Sequence, residues 1–245
     1  MAAATKPAPR ARPRPRLAPR RLAPETYARL AAIYPDARCE LDHRTAFELL
    51  VATVLSAQTT DRAVNQATPE LFARYPSPRA LADAELAELE RLVGRLGFFH
   101  QKAKNIKALA RALCERHGGE VPARMKELTA LAGVGRKTAN VVLGNAFHAP
   151  EGVVVDTHVQ RLAQRLGWSR STTPEAIERD LNGLFPRGDW AQVPHVLIFH
   201  GRRACFAHKP ACASCGVRDA CPSAGRAERV GRKPTRARRG AGERG

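Results

Sequence analysis

Four cysteines near the C-terminal end of the chain are spaced closely enough to hold one metal centre. They are Cys205, Cys212, Cys215 and Cys221. Four thiolates in the pattern C-x6-C-x2-C-x5-C can ligate a zinc ion or an iron–sulfur cluster. Structural zinc sites usually pair two short C-x2-C motifs and this chain has one, so the spacing favours a 4Fe–4S cluster. Two disulfides are the weaker alternative, because only Cys39 and Cys114 lie elsewhere, and we interpret those two as ordinary buried thiols.

The loop between the first two cysteines carries a lysine that can contact a phosphate group. Its sequence is Phe206-Ala207-His208-Lys209-Pro210-Ala211. A metal centre that ties both ends of this loop would stiffen it and present Lys209 at the surface. Solubility alone explains this lysine equally well, so both interpretations stay open.

A glycine-rich turn in the middle of the chain has the features of an anion-binding hairpin. The segment 131–143 reads LAGVGRKTANVVL, with a helix expected to end near Leu131 and another to begin near Arg136. Gly133 and Gly135 allow a tight turn and a close approach of the backbone to a ligand. The free N–H groups at the start of the second helix favour a phosphate group. The pattern predicts a helix-hairpin-helix that binds DNA phosphates.

A lysine and an aspartate follow this hairpin closely enough to suggest covalent chemistry. Lys137 falls in the first turn of the second helix, and an unprotonated lysine amine is a nucleophile. Asp156 follows a short apolar run at the start of a further helix. Its carboxylate could stabilise positive charge on a sugar or help to deprotonate the lysine. A second phosphate-binding lysine and an N-cap aspartate are the simpler alternatives.

The elements that position these residues are predicted to be helical. Thr45–Ala57 is apolar on nearly all faces, as in a central buried helix, and Lys102–His117 is amphipathic. Thr173 as N-cap and Pro174 in the first turn open another helix. The only β-branched run, at 152–155, is too isolated to build a sheet. We therefore expect an all-α protein of about ten short helices.

The charge of the chain points to nucleic acid. Lys and Arg number 41 against 23 Asp and Glu, a net charge of +18. Residues 1–24 hold seven basic residues and no acid, and residues 222–245 hold eight basic residues against two acids. Neither segment has apolar periodicity, so we expect two disordered basic arms. They either contact phosphates non-specifically or are simply solvated. The chain has no run of 18 apolar residues, so no membrane span is predicted.

Several motifs, in this order along the chain, together resemble one family of DNA repair enzymes. They are the LSAQTTD segment at 55–61, the hairpin at 131–143, the VDTH segment at 155–158 and the four-cysteine spacing. This set is similar to the endonuclease III family of DNA glycosylases, within the helix-hairpin-helix superfamily. The resemblance covers about Glu48 to Cys221. The chain departs from the family pattern at Ala132, where proline is usual, and at Thr129, where some members have glutamate.

The resemblance implies a fold of two helical domains with a DNA-binding cleft between them. A six-helix barrel that contains the helix-hairpin-helix is expected at 39–149. A split domain, formed by 25–38 and 150–221, is expected to carry the 4Fe–4S cluster. The basic arms at 1–24 and 222–245 lie outside the resemblance.

The resemblance also implies a bifunctional activity in base excision repair. The enzyme would remove oxidised pyrimidines from duplex DNA and cleave the abasic site by β-elimination through a lysine Schiff base. Lys137 matches the nucleophile and Asp156 the catalytic acid. Gln58 matches a residue that fills the gap left by the flipped nucleotide, and Phe98 an apolar wedge. Without the family, Gln58 would be a neighbour of a helix end and Phe98 a core residue.

The expected partner is damaged double-stranded DNA, bound by a monomer with no membrane contact. The hairpin residues Gly133, Gly135 and Arg136 and the loop residue Lys209 would contact phosphates. The chain is rich in Arg and Ala, which is typical of a GC-rich genome. We therefore expect a bacterial protein of the cytoplasm that is associated with the nucleoid through DNA.

Two other functions remain as alternatives. An adenine glycosylase has the same fold and cluster, but that subfamily lacks a lysine at the position of Lys137. It also carries a glutamate where this chain has Thr53. A non-catalytic DNA-binding module would explain the hairpin, the arms and the cluster, and only the pair of Lys137 and Asp156 argues against it.

Overall fold

The helices expected from the sequence form the whole of the described fold. The computed structural model describes residues 19–230, which contain α-helices and short 3-10 turns and no strand. The α-helices are α1 (Ala23–Ile33), α2 (Ala46–Leu55), α3 (Asp61–Arg74), α4 (Pro78–Asp83), α5 (Leu86–Val93), α6 (Phe99–His117), α7 (Met125–Thr129), α8 (Arg136–Ala146), α9 (Thr157–Arg165), α10 (Pro174–Asn182) and α11 (Gln192–Arg203). The prediction of an all-α fold is confirmed.

The first hydrophobic core is built around α2. Every residue from Phe47 to Leu55 is buried, and α2 packs against α3, α6 and α8. Thr45 starts this helix, because its side chain accepts a hydrogen bond from the Glu48 amide. The core runs from Leu41 to Leu143, so α2 to α8 surround one apolar centre. We call this set of residues the first core.

A second core joins the beginning of the described chain to its later part. α1 packs against α11, which also contacts α9. Trp168 and Tyr27 each meet the ring of Phe185 edge to face, at centroid distances of 5.2 and 5.3 Å. Such aromatic pairs add to the energy of burial. The second core thus brings residues 23–37 onto residues 153–217.

The predicted helix bounds differ slightly from those observed. The helix expected at Lys102–His117 begins three residues earlier, at Phe99. Thr173 is the N-cap of α10 as predicted, although its side chain makes no capping bond. Residues 152–155 form no strand. No described helix is long and apolar enough to cross a membrane.

The two arms predicted to be disordered overlap residues that have a defined conformation in the structure. Residues 1–18 and 231–245 lie outside the described residues, but residues 19–24 and 222–230 have a defined conformation. Ala227 is buried, and the Arg165 Nε donates a hydrogen bond of 2.9 Å to the Val230 carbonyl. The expectation of disorder was therefore wrong for these two short stretches, because long-range contacts hold segments that lack any periodicity of their own.

Both ends of the described chain pack against the same glycine, which makes that position testable. Gly167 has φ +71°, and a Cβ there would lie 3.0 Å from Pro19 and 3.0 Å from Pro222. We expect Gly167→Ala to lower the free energy of unfolding by about 1–2 kcal/mol, since it adds left-handed strain and crowding. Urea denaturation measures this change.

Gly188→Ala is the matched control, because a Cβ at Gly188 meets no atom within 4 Å. It should change stability by less than about 0.5 kcal/mol. Equal stability of both variants would contradict the packing of the two chain ends on Gly167.

Candidate active site and cysteine centre

The predicted hairpin connects α7 to α8 and leaves the start of α8 bare. Gly133 has φ +75°, and a Cβ there would lie 2.9 Å from the Asn105 amide nitrogen and 3.1 Å from Val54. Gly135 is the N-cap of α8, and a Cβ there would meet nothing within 4 Å. Because no side chain covers them, the first N–H groups of α8 are open to an anion.

Lys137 and Asp156 line the same cavity. The cavity has a volume of about 420 Å³, and its walls come from helices of both cores. Lys137 is exposed in the first turn of α8. Asp156 is the N-cap of α9, and its Oδ1 accepts a 2.8 Å hydrogen bond from the Val159 amide. Its capping role and its place in the cavity therefore coexist.

A buried amide holds the segment that leads to Asp156 against α8. The Nδ2 of Asn140 donates to the Gly152 carbonyl at 2.6 Å, and its Oδ1 accepts from the Glu151 amide at 2.9 Å. Asn140 lies one turn after Lys137 on the same helix. It was not singled out from the sequence, because its partners lie in a loop that no local pattern connects to it.

A second carboxylate and an arginine complete the charged wall of the cavity. Burial raises the pKa of Asp61, the carboxylate of Asp156 raises it further, and Lys137 acts in the opposite direction. Arg202 of α11 forms ion pairs with Asp61 (3.2 Å) and with Glu40. Burial lowers the pKa of Arg202. These ion pairs join the two cores across the cavity, and no local sequence pattern predicts them.

Two histidines line the cavity in their neutral form. Burial lowers the pKa of His195 to about 4, and its Nε2 lies 2.9 Å from the Asn145 Oδ1. Burial also lowers the pKa of His158, whose Nδ1 lies 3.0 Å from Arg161. Both rings are therefore uncharged at neutral pH and add polar groups without adding positive charge.

Gln58, predicted to fill the gap left by the flipped nucleotide, and Phe98, predicted to be an apolar wedge, are exposed on neighbouring loops. Gln58 and Phe98 have φ 55° and 58°, a left-handed conformation that costs a non-glycine residue about 1 kcal/mol. Phe98 is 70% exposed and precedes the first residue of α6. The Lys102 amine of α6 donates to the Thr59 hydroxyl at 2.5 Å, so the Gln58 loop is fixed to the helix that follows Phe98.

The remaining predicted phosphate contacts lie at the surface. Arg136 forms an ion pair with Glu178 at 3.0 Å, which a phosphate would have to replace. Lys209 is exposed, with φ 46°, in the loop between the first two cysteines.

The four cysteines of the predicted metal centre line one cavity. Its other walls are mainly apolar and include Leu162, Val217 and Ala227. Burial, together with the charges of the other three cysteines, raises the pKa of the Cys221 thiol to about 11. A positively charged metal centre between the four sulfurs would favour their thiolate form. Cys39 and Cys114, by contrast, are partly buried and belong to the packing of the first core.

A buried arginine supports an anionic centre beside these cysteines. Arg165 is fully buried and donates to the Cys205 Sγ at 3.3 Å and to the Phe206 and Ala207 carbonyls. No carboxylate of the described residues pairs with it. A buried guanidinium without a counter-charge is costly, and the thiolates of a metal centre would supply that charge.

Four cysteine side chains around one cavity are donors that suit a metal centre, either one zinc ion or an iron–sulfur cluster. Within residues 19–230, no group of three or more His, Cys, Asp or Glu side chains is arranged to hold one metal ion. In a 4Fe–4S cluster each cysteine binds a different iron, so the four sulfurs are further apart than around one zinc. His200 lies between the centre and α1: its Nδ1 is 2.9 Å from the Tyr34 hydroxyl and its Nε2 is 3.7 Å from the Cys215 Sγ.

Comparison with known proteins identifies the class to which this fold and site belong. The family model described as "HhH-GPD superfamily base excision DNA repair protein" matches residues 51–187. The chain is 53% identical over 195 residues to Endonuclease III of Synechocystis sp., covering 80% of this chain and 89% of that protein. It is 40% identical over 197 residues to Endonuclease III of Escherichia coli, covering 80% and 93%.

Solved structures give the same result. The chain is 41% identical to the protein in "Structure of a non-covalent Endonuclease III-DNA Complex", with a TM-score of 0.79 and coverage of 84% and 96%. The chain therefore belongs to the endonuclease III family of the helix-hairpin-helix superfamily. It is a base excision repair enzyme, a DNA glycosylase with abasic-site lyase activity. This family generally binds an iron–sulfur cluster.

The cysteine centre makes a direct prediction about metal content. Purified protein should be yellow-brown and contain about four iron and four sulfide per chain. Cys212→Ser should lower the iron content and make residues 205–230 sensitive to protease, because binding of the metal centre is coupled to local folding. Elemental analysis and limited proteolysis measure both effects.

Cys114→Ser is the control, since Cys114 lies outside the centre. It should keep the colour and the full iron content. Colourless wild-type protein with one zinc per chain would overturn the assignment.

Proposed function

We propose that the chain removes oxidised pyrimidines from duplex DNA and cleaves the resulting abasic site by β-elimination. One observation carries this proposal: Lys137, at the bare start of α8, lines the same cavity as Asp156. A related protein is described in "Structure of a Trapped Endonuclease III-DNA Covalent Intermediate: Estranged-Adenine Complex", 41% identical to this chain with a TM-score of 0.78. A covalent intermediate of that kind fits a lysine nucleophile.

The chemistry begins when the damaged nucleotide leaves the base stack, because C1′ is not reachable inside the duplex. The Lys137 amine attacks C1′, the glycosidic bond breaks, and the base leaves with the electron pair and takes up a proton. Opening of the C1′–O4′ bond then gives a Schiff base between Lys137 and the sugar. Loss of a C2′ proton expels the 3′ phosphate, which cuts the strand.

Asp156 serves this reaction from the same cavity as Lys137. Its carboxylate stabilises positive charge that develops on the sugar ring and helps to remove the proton from Lys137. The Val159 amide bond fixes the orientation of this carboxylate. A group held in this way needs no reorganisation when the charge develops.

DNA binding is distributed over the surface around the cavity. Phosphates of the damaged strand bind to the open amides of Gly133 and Gly135. Arg136 binds a further phosphate, which replaces Glu178 as the partner of its guanidinium group. Gln58 fills the gap left by the flipped nucleotide, and Phe98 acts as an apolar wedge. Lys209 contacts a phosphate from the loop that the metal centre stiffens.

The two cores correspond in this proposal to the barrel domain, 39–149, and the split domain, 25–38 and 150–221. Duplex DNA binds across the cleft between them, and one copy of the chain suffices because a single copy lines the whole cavity. Cys205, Cys212, Cys215 and Cys221 would hold a 4Fe–4S cluster, whose contribution is to fix the loop at 205–212. The protein would act on the bacterial nucleoid in the cytoplasm.

Removal of mispaired adenine is the less suitable function for this site. That activity calls for a carboxylate at the position of Thr53, which is buried, and its hydroxyl donates to the Leu49 carbonyl at 2.7 Å. The nucleophilic amine of Lys137 would also have no purpose in that reaction.

Replacing Lys137 is the decisive test of the mechanism. Lys137→Gln removes the amine and keeps the hairpin glycines, so binding to lesion DNA should persist. Base release and strand cleavage should fall by about three orders of magnitude or more, because a nucleophile acts as part of a unit. Borohydride should trap an adduct with wild-type protein, and its peptide should map to Lys137.

Lys126→Gln is the matched control, because Lys126 is an exposed lysine of neighbouring α7 outside the cavity. It should form the adduct at the wild-type rate. If Lys137→Gln formed the adduct at the wild-type rate, another amine would be the nucleophile.

Asp156→Asn separates the structural role of this residue from its chemical role. Asparagine also caps helices, so the melting temperature should stay close to that of wild type. The rate of base release should fall by about two orders of magnitude, since the carboxylate charge is lost. Single-turnover kinetics on a damaged duplex measure this rate, and an unchanged rate would remove Asp156 from the mechanism.

The terminal segments are proposed to add phosphate contacts without taking part in catalysis. Deleting 1–18 and 231–245 should weaken binding to undamaged duplex and flatten its salt dependence, because each neutralised phosphate contributes about −0.9 to the slope. The single-turnover rate at saturating protein should not change. A slope equal to that of the full chain would show that these segments are solvated and make no contact.

A further inference from the structure

A groove on the far side of the hairpin from Lys137 is lined with basic residues that the proposed mechanism does not use. One wall is α6, and the other is the entry of the hairpin at Ala130, Leu131 and Ala132. The groove has a volume of about 690 Å³ and shares no residue with the cavity of Lys137 and Asp156. It is therefore a separate surface feature, which we call the α6 groove.

The basic side chains of the α6 groove are not neutralised by the protein. Lys104, Lys107 and Arg111 lie on one stripe of α6, since they are spaced by three and four residues. In residues 19–230, no carboxylate forms an ion pair with any of the three. Lys107 donates one hydrogen bond to the Ala84 carbonyl. Glu115 and Arg116, one turn beyond Arg111, bring one charge of each sign to the end of the groove.

Other arginines of the described surface do pair with carboxylates. Arg29 pairs with Asp219 at 2.7 Å, Arg203 with Asp36 at 2.8 Å, and Arg79 with Asp83 at 2.9 Å. A solvated face of a helix typically carries such pairs at i and i+4. The three side chains of the basic stripe have no such partner, so the α6 groove keeps a local positive potential.

The α6 groove is continuous with the surface proposed to hold DNA. Phe98, the proposed wedge, directly precedes α6 and is two turns from Lys104. Asn105, next to Lys104, is the residue that a side chain at Gly133 would strike, so α6 touches the phosphate-binding hairpin. A duplex that lies on both the wedge and the hairpin must pass the beginning of the groove.

We propose that the α6 groove binds the sugar–phosphate backbone of the duplex beyond the hairpin. The inference rests on the proposed function, since it takes the hairpin as a DNA contact. From Lys104 to Arg111 the stripe spans about 10 Å, at a rise of 1.5 Å per residue. That length matches about three phosphates along one strand. The ligand is sequence-independent, so the groove adds affinity on one side of the lesion and does not choose the lesion.

The test is the double variant Lys104→Gln/Arg111→Gln in the full chain. Binding to duplexes that carry a non-cleavable abasic analogue is measured as a function of salt. Two lost phosphate contacts should make the slope of log K against log salt shallower by about 1.8. The difference should disappear with a duplex truncated to about three base pairs on one side of the analogue and persist when the other side is truncated.

Arg170→Gln/Arg179→Gln is the matched control. Both arginines are exposed, form no ion pair in the described part of the chain and lie outside the α6 groove. This variant loses the same charge, so it should keep the wild-type slope with the long duplex. A slope change equal to that of the groove variant would mean that net charge alone explains the effect and would overturn the proposal.

The outcome is separable from that of the proposed function. On the duplex short on the groove side, Lys104→Gln/Arg111→Gln should give the wild-type yield of borohydride adduct. Absence of any adduct with wild-type protein would contradict the lysine mechanism. The slopes of log K against log salt would still test the groove proposal, because they measure binding alone. An unchanged slope for the groove variant on every duplex would overturn the groove proposal, as would binding of an acidic protein segment that leaves the DNA slope intact.

Discussion

The geometry of the active site depends on the two hydrogen bonds of Asn140. This buried side chain lies one turn after Lys137 on α8 and holds residues 151 and 152, which lead to Asp156. It therefore constrains the separation of Lys137 and Asp156, the proposed nucleophile and carboxylate, which lie at the starts of different helices. An unpaired buried amide costs about 1–3 kcal/mol, so separating the loop from α8 would cost a similar free energy. Two helix starts, those of α8 and α9, are thereby aimed at one cavity, where their positive ends favour anionic groups.

The cysteine centre depends in a similar way on Arg165. Its guanidinium group binds the carbonyls of the loop that carries Lys209 and the carbonyl of Val230, and it donates to the Cys205 sulfur. A single buried charge thus connects the metal-binding loop, the last described residues and α9. Because α9 begins at Asp156, the cysteine centre and the catalytic cavity lie at opposite ends of one helix. A disturbance of the centre therefore has a direct structural route to the carboxylate.

The residues that could be predicted from the sequence are those set by local patterns. The hairpin glycines, Lys137 and the capping role of Asp156 follow from a short motif, and the helical class follows from apolar periodicity. Asn140, Asp61 and Arg202 could not be found in this way, since each acts through partners far along the chain. The last described stretch, 222–230, was predicted as disordered from composition, whereas Arg165 and the burial of Ala227 give it structure. Local patterns thus identify the reactive groups, and long-range polar contacts determine how they meet.

Although the chain has a net charge of +18, its surface differs in local charge, because some basic side chains pair with carboxylates and others do not. On α3 to α5, arginines pair with carboxylates, as Arg74 does with Glu88 and Arg91 with Glu70. Such surface pairs contribute little to stability, about 0–1 kcal/mol, but they cancel the local field. Positive potential therefore remains where basic side chains are unpaired, and the stripe of Lys104, Lys107 and Arg111 on α6 is one such place. Phosphates are attracted over about 8–10 Å at physiological salt, so under the proposed function this field would orient the duplex before any specific contact forms. The proposed wedge, Phe98, directly precedes α6 and would lie beside that field.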